Sequence, residues 1–127
     1  MDIASDLALI DRLCARDFSE AQRHFLVRLG PVEWEDPDDC YAYELAVADR
    51  LTARWGEAAR RGTVTWAERI ARGEEIPEPW AMLSALAYEL RVWQAGETGR
   101  TVTLAVADRD ADEQAQLVVG VTDLDPP

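Results

Sequence analysis

The alternating run from Arg100 to Ala107 constrains this chain more than any other feature. Val102, Leu104 and Val106 alternate with Thr101, Thr103 and Ala105, which is the two-residue period of a half-buried strand. A second β-rich run, Leu90 to Ala95, precedes it, and Gly96-Glu97-Thr98-Gly99 lies between the two. Glycines supply the backbone freedom that a tight reversal needs, so the pattern predicts an antiparallel hairpin over 90–107. Such a hairpin needs other elements to cover its apolar face.

The N-terminal half supplies helices for that purpose. Ile3, Leu7, Ile10 and Cys14 recur at three- and four-residue spacing, predicting a first helix. Ser19 with Gln22 reads as a reciprocal capping pair for a second helix carrying Phe25, Leu26 and Leu29 and stopping at Gly30-Pro31. The third helix has the clearest start: Asp36 as cap, Pro37 at the first helical position, and Asp38 and Asp39 in the first turn. Tyr41, Leu45, Ala48, Thr52 and Trp55 follow a helical period behind it, and Gly56 ends it.

Beyond Gly56, residues 57–61 read as a short helical turn and Thr63-Val64-Thr65-Trp66 as a short strand, followed by a helical turn over Ala67 to Ala71. Glu74 to Pro79 is a stiff acidic connector, and Pro79 suits the first turn of a helix bearing Met82, Leu83, Leu86 and Leu90. The tail has two readings. Asp110 with Glu113 resembles a capping box for a helix to Gly120, which is preferred, with Val121 to Leu124 returning as an edge strand; Gln116 to Val121 would otherwise be another strand of an antiparallel meander. The expected architecture is one compact α+β domain over 1–127. Its N-terminal helices pack on one face of a small antiparallel sheet that contains the C-terminal hairpin.

Charge narrows the function. Asp and Glu number 25 against 13 basic residues, all of them Arg, for a net charge of −12. Phosphates would be repelled over much of such a surface, so nucleic acid is not an expected partner. No apolar run reaches the roughly 20 residues of a membrane span, and Met1 to Asp6 lacks the basic start of a signal peptide. Cys14 and Cys40 do not make a disulfide framework. A cytoplasmic protein with free thiols is expected.

Motifs for catalysis and cofactors are missing. The seven glycines form no phosphate-binding run, and the lack of Lys excludes a P-loop. His24 is the sole histidine, Cys14 lies on an apolar stripe, and Cys40 sits among carboxylates that disfavour its thiolate. Asp108 to Glu113 has the alternating carboxylates of a calcium loop. It fails at position six, which is Glu113 in place of Gly, and at position twelve, which is Val119 in place of Glu. No cofactor and no metal are expected.

The charges are unevenly distributed. Residues 31–49 carry Glu33, Glu35, Asp36, Asp38, Asp39, Glu44 and Asp49 without a basic residue, whereas 50–72 carry six arginines. Trp34 lies within the acidic stretch. A rigid aromatic ringed by charge is what an interface centre looks like, and it is equally what a loop looks like when its one large apolar residue plugs the core. Glu33, Trp34, Glu35, Asp36, Asp38 and Asp39 are therefore the candidate partner-binding residues. The five tryptophans, spread over different elements, most simply enlarge the buried area.

Asp38-Asp39-Cys40-Tyr41-Ala42-Tyr43-Glu44-Leu45, then Thr65-Trp66-Ala67-Glu68, then Pro79-Trp80-Ala81-Met82-Leu83, resembles an uncharacterised bacterial α+β domain family over about residues 36–120. The resemblance implies an acidic helix start before a tryptophan-bearing strand, then a helix and a closing sheet. It assigns no catalytic residue, and the spacer from Leu51 to Trp66 is longer here. The functional expectation is a non-enzymatic acidic domain that binds a basic protein, of which an inhibitor or immunity-type protein is one version. A small acidic enzyme with a carboxylate-lined, metal-linked site near Glu44, Asp49 or Glu89 is one alternative, and a structural homodimer formed through exposed aromatics is the other.

Overall fold

The computed structural model describes residues 2–110 and 113–127. Its elements run α1 (Ile3–Ala15), β1 (His24–Leu29), α2 (Pro37–Trp55), β2 (Ala59–Gly62), α3 (Val64–Ala71), α4 (Trp80–Leu86), β3 (Glu89–Gln94), β4 (Thr101–Ala107) and β5 (Gln116–Thr122). The strands form one sheet in the order β1-β5-β4-β3-β2, with every neighbouring pair antiparallel. The α+β class is as expected, with α1 and α2 on one face and the β3–β4 hairpin within the sheet.

Local signals account for the elements that match. The side chain of Asp2 caps α1 by accepting from the amides of Ala4 and Ser5, and Leu7, Ile10, Leu13 and Cys14 are buried. Asp36 caps α2 by accepting from Asp38 N, with Pro37 at its start and Gly56 at its end. In the hairpin, Trp93 faces Val102 across the strands, and the amides of Thr98 and Gly99 close the reversal onto the carbonyl of Ala95. The alternation in β4 separates two cores. Val102, Leu104 and Val106 face α1 and α2, while Ala105 joins the core on the opposite side.

That opposite side holds α3 and α4. Trp66, Ile76, Trp80 and Leu83 cover Leu90, Val92, Ala105 and Val118, with Trp66 and Trp80 at 5.7 Å between ring centroids. The sheet is thus covered on both faces. Trp34, Trp66, Trp80 and Trp93 are buried and Trp55 is half-buried, consistent with tryptophan used mainly for buried area.

Several sequence expectations are corrected. The second helix over Ser19 to Leu29 is instead a turn followed by β1. Ser19 and Gln22 do bond, through Oγ to the amide and by reciprocal backbone bonds, but they close a turn on themselves. His24–Leu29 then pairs along its whole length with β5. A short apolar run satisfies either period, and the waiting strand decides between them. The preferred C-terminal helix is likewise replaced by β5. Leu117 to Thr122 are all buried because this strand lies between β1 and β4 with both faces covered, which produces a continuous apolar run without alternation. The part of that expectation resting on Ala111 and Asp112 lies outside the described residues.

The strand expected at 63–66 and the helical turn expected at 57–61 exchange places. Ala59–Gly62 pairs with β3, and Val64–Ala71 is helical, which turns Trp66 into the second core. Leu90 belongs to β3 and not to α4. The buried stripe of α2 is Cys40, Tyr43, Val47, Ala48 and Leu51, so Tyr41 and Leu45, expected inside, stand exposed.

Candidate binding face

The loop from β1 to α2 carries the candidate acidic residues, and it is pinned from beneath. Gly30 has φ +77°, a conformation suited to glycine, and its amide donates to Asp6 Oδ2 at 3.1 Å. The Tyr43 hydroxyl donates to the same carboxylate oxygen. Trp34 folds back over Gly30 so closely that a Cβ there would sit 2.7 Å from its Cζ2, and its ring packs on Tyr43 at 5.7 Å between centroids. Only 8% of Trp34 is exposed. It plugs the core, leaving little of the indole to serve as an interface anchor.

With Trp34 pointing inward, Glu33, Glu35, Asp36, Asp38 and Asp39 are all exposed. Asp36 is engaged in capping, and Asp38 and Asp39 lie at the positive end of the helix dipole. None of the five forms an ion pair with an arginine among the described residues.

Tertiary structure adds a second acidic loop to the first. The segment joining β4 to β5 carries Asp108, Asp110 and Glu113, and it meets the β1–α2 loop at the same end of the sheet. Gln116 Nε2 donates to the carbonyl of Val32 at 2.9 Å, and the Tyr41 hydroxyl donates to Asp108. Two arginines stand beside that loop: Arg28 of β1 lines a hollow with Asp110 and Glu113, and Arg109 lies over the Tyr88 ring while its guanidinium donates to Ser84 O at 2.7 Å and to Thr63 Oγ1 at 3.3 Å. From the sequence alone, Asp108 to Glu113 reads as a turn and a failed calcium loop. The strand character of Gln116–Thr122 was the signal that would have brought this loop back beside the other.

Beside this end lies a cleft of about 310 Å³ between the start of α2, the start of β3 and the end of β4. Tyr41, Glu44, Arg60, Tyr88, Glu89, Arg91 and Asp108 line it over a floor of Leu90 and Val106. Arg60 holds Glu89 at 2.7 Å, whereas Arg91 and Glu44 stand 3.8 Å apart. Burial holds the Glu44 carboxyl above the usual carboxylate range, against the opposing pull of Arg91. The neighbouring Cys40 thiol is pushed up to about 11, first by burial and then by the carboxylates of Glu44 and Asp108. Burial raises Cys14 to about 11 as well. Both are thereby held largely in the thiol form at neutral pH.

A larger cavity, about 520 Å³, lies at the other end, among Asp11, Arg54, Trp55 and the hairpin turn. Among the described residues, no group of three or more His, Cys, Asp or Glu side chains converges as a metal site, and no helix is long and apolar enough to cross a membrane. Asp112 of the calcium-loop pattern lies outside the described residues. No protein-family model matches this chain, and neither a curated protein nor a solved structure is significantly similar to it.

Proposed function

We propose that this protein is a non-enzymatic binding domain that presents its acidic end to a basic protein. One concrete version is an inhibitor or immunity-type protein that masks a cationic toxin or nuclease in the cytoplasm. The observation that carries the reading is the meeting of the two acidic loops. Glu33, Glu35, Asp36, Asp38 and Asp39 come from one, and Asp108, Asp110 and Glu113 from the other. Carboxylates gathered on one end of a domain of net charge −12 attract a cationic surface over several ångströms and speed its encounter. Trp34, buried beneath the loop, sets its shape, and the charges meet the partner.

The test compares capture of basic proteins from the native cell by the immobilised protein and by a variant carrying E33Q, E35Q, D38N, D110N and E113Q. A basic protein retained at low salt, released at high salt and lost with the variant is the expected result. Equal capture by both, or no salt-sensitive basic partner, overturns the reading.

A second reading, a small enzyme with a carboxylate-lined site, draws on one observation: Glu44 is a mostly buried carboxylate with a raised pKa in a cleft shared with Glu89 and Asp108. Stoichiometric metal retained after mild purification, and lost with E44Q, would favour it over the first.

A further inference from the structure

The acidic rim explains attraction but offers no pocket, and the cleft beside it does. Two tyrosines form its walls. Tyr41 is 41% exposed and Tyr88 53%, unusual for large rings in a domain whose tryptophans are mostly buried. Their phenol faces are the kind on which a guanidinium plane stacks. The molecule already makes this contact once, since Arg109 lies over the Tyr88 ring at 4.9 Å.

The charges in the cleft also favour a cation. Among the lining residues Glu44, Glu89 and Asp108 face two guanidinium groups, those of Arg60 and Arg91, which leaves one negative charge in excess, and the third guanidinium, Arg109 on the Tyr88 ring, is outside that lining. Arg60 is occupied by Glu89 in a pair more than half exposed on both sides, the kind of contact that solvent weakens. Arg91 is drawn toward Glu44 and lies deep, with its Nε out of contact with solvent. Asp108 has a phenol as its described partner and no arginine, so its carboxylate retains acceptor capacity at the mouth of the cleft.

We infer that the cleft bounded by Tyr41, Glu44, Tyr88 and Asp108 receives an arginine side chain of the basic partner, stacking its guanidinium on tyrosine and pairing it with Asp108. This rests on the acidic-end reading and deepens it: the loops steer, and the cleft holds. Tyrosine and arginine are also the residue types in which binding energy concentrates at interfaces.

The probe is the peptide acetyl-Gly-Arg-Gly-amide, with its citrulline counterpart as the neutral isostere, titrated into the full chain and followed by amide NMR shifts. Saturable shifts at Tyr41, Glu44, Tyr88 and Asp108 are expected with the arginine peptide and not with the citrulline one. Y88A and D108N should each weaken binding about threefold to tenfold. Both positions lie at the surface of the cleft, and unchanged spectra elsewhere verify the fold of each variant. The triple variant E33Q, E35Q and D38N should still bind the peptide in the cleft, with a flatter salt dependence. Shifts confined to the acidic loops, indifference to both Y88A and D108N, or no binding at all would overturn the cleft assignment. If the peptide occupies the cleft but no salt-sensitive basic protein is captured, it is the acidic-end function that falls, and the cleft remains.

Discussion

The acidic loops and the arginine-rich segment 50–72 look like matching halves in the sequence, and the structure treats them oppositely. Arg54 pairs with Asp11 at 2.6 Å, Arg60 with Glu89 at 2.7 Å, and Arg69 and Arg72 both with Glu74. Arg61 donates to the carbonyl of Pro127 and lies over Trp66. Four of the six arginines thus meet carboxylates within the molecule, while Arg50 is exposed and outside the described ion pairs, so the basic charge of this segment is partly neutralised. Carboxylates of the β1–α2 loop are bonded instead to backbone amides or left to water. A run of like charge in a sequence therefore says little about the field outside the protein until its partners are known, because an ion pair at contact distance cancels both members beyond a Debye length.

The largest expected effect tests whether the acidic loop is held from within. Trp34→Ala removes a buried indole that packs on Gly30 and Tyr43, and should cost about 3–5 kcal/mol in chemical denaturation. If stability is unchanged and only a partner's dissociation accelerates, Trp34 is an interface anchor and not a core plug.

Next in size is the carboxylate beneath the loop. Asp6→Ala leaves the Gly30 amide and the Tyr43 hydroxyl without their acceptor, for an expected loss of about 1.5–3 kcal/mol. Tyr43→Phe combined with Asp6→Ala should cost less than the sum of the two single changes, since both remove one shared contact. Strict additivity would show that Asp6 acts elsewhere.

Glu44 sharpens the comparison through pH. Its folded pKa is raised, so its protonated form is the one favoured by folding. The stabilisation it contributes is complete below the ordinary glutamate value and is lost as pH rises through the raised folded value. Glu44→Gln should therefore gain stability relative to wild type on going from acid to neutral pH, read as the difference between two melting curves. A difference independent of pH would mean that Arg91 fully offsets the burial.

The smallest effects separate the two charged regions directly. Arg54→Gln breaks a partly exposed ion pair and should cost about 0.2–1 kcal/mol. Neutralising Glu33, Glu35 and Asp38 together removes no described ion pair and should leave stability within about 0.5 kcal/mol per site. Any partner's association rate should fall and its salt dependence flatten. A marked loss of stability would show the loop charges to be structural.

Much of the fold was legible where the signal is local. Asp36 at a helix start, Gly56 at a helix end and the glycine-rich reversal at 96–99 act on neighbours within a turn, so the residues alone carry the information. Phe25 to Leu29 reads as helix, and Leu117 to Val121 as either helix or strand, for the same underlying reason. Each is a short apolar run, and only pairing with the other makes both of them strands. In the candidate site, the exposure of the carboxylates at 33–39 followed from composition. The inward turn of Trp34 was one of two open readings. The contribution of Asp108, Asp110 and Glu113 could not be read, since their place depends on β5.

The sequence by itself determined an acidic α+β chain with a hairpin at 90–107, a strongly capped helix from Pro37 and charged loops without catalytic or phosphate-binding motifs. Only the tertiary structure decided that arginines 54, 60, 69 and 72 would be paired, that Trp34 would be core, and that the two acidic loops would share one end beside the Tyr41–Tyr88 cleft. The physical reason is range. Caps and turns are satisfied within a few residues, whereas charge cancellation and strand neighbours depend on groups as far apart as Val32 and Gln116, which meet only once the sheet has closed.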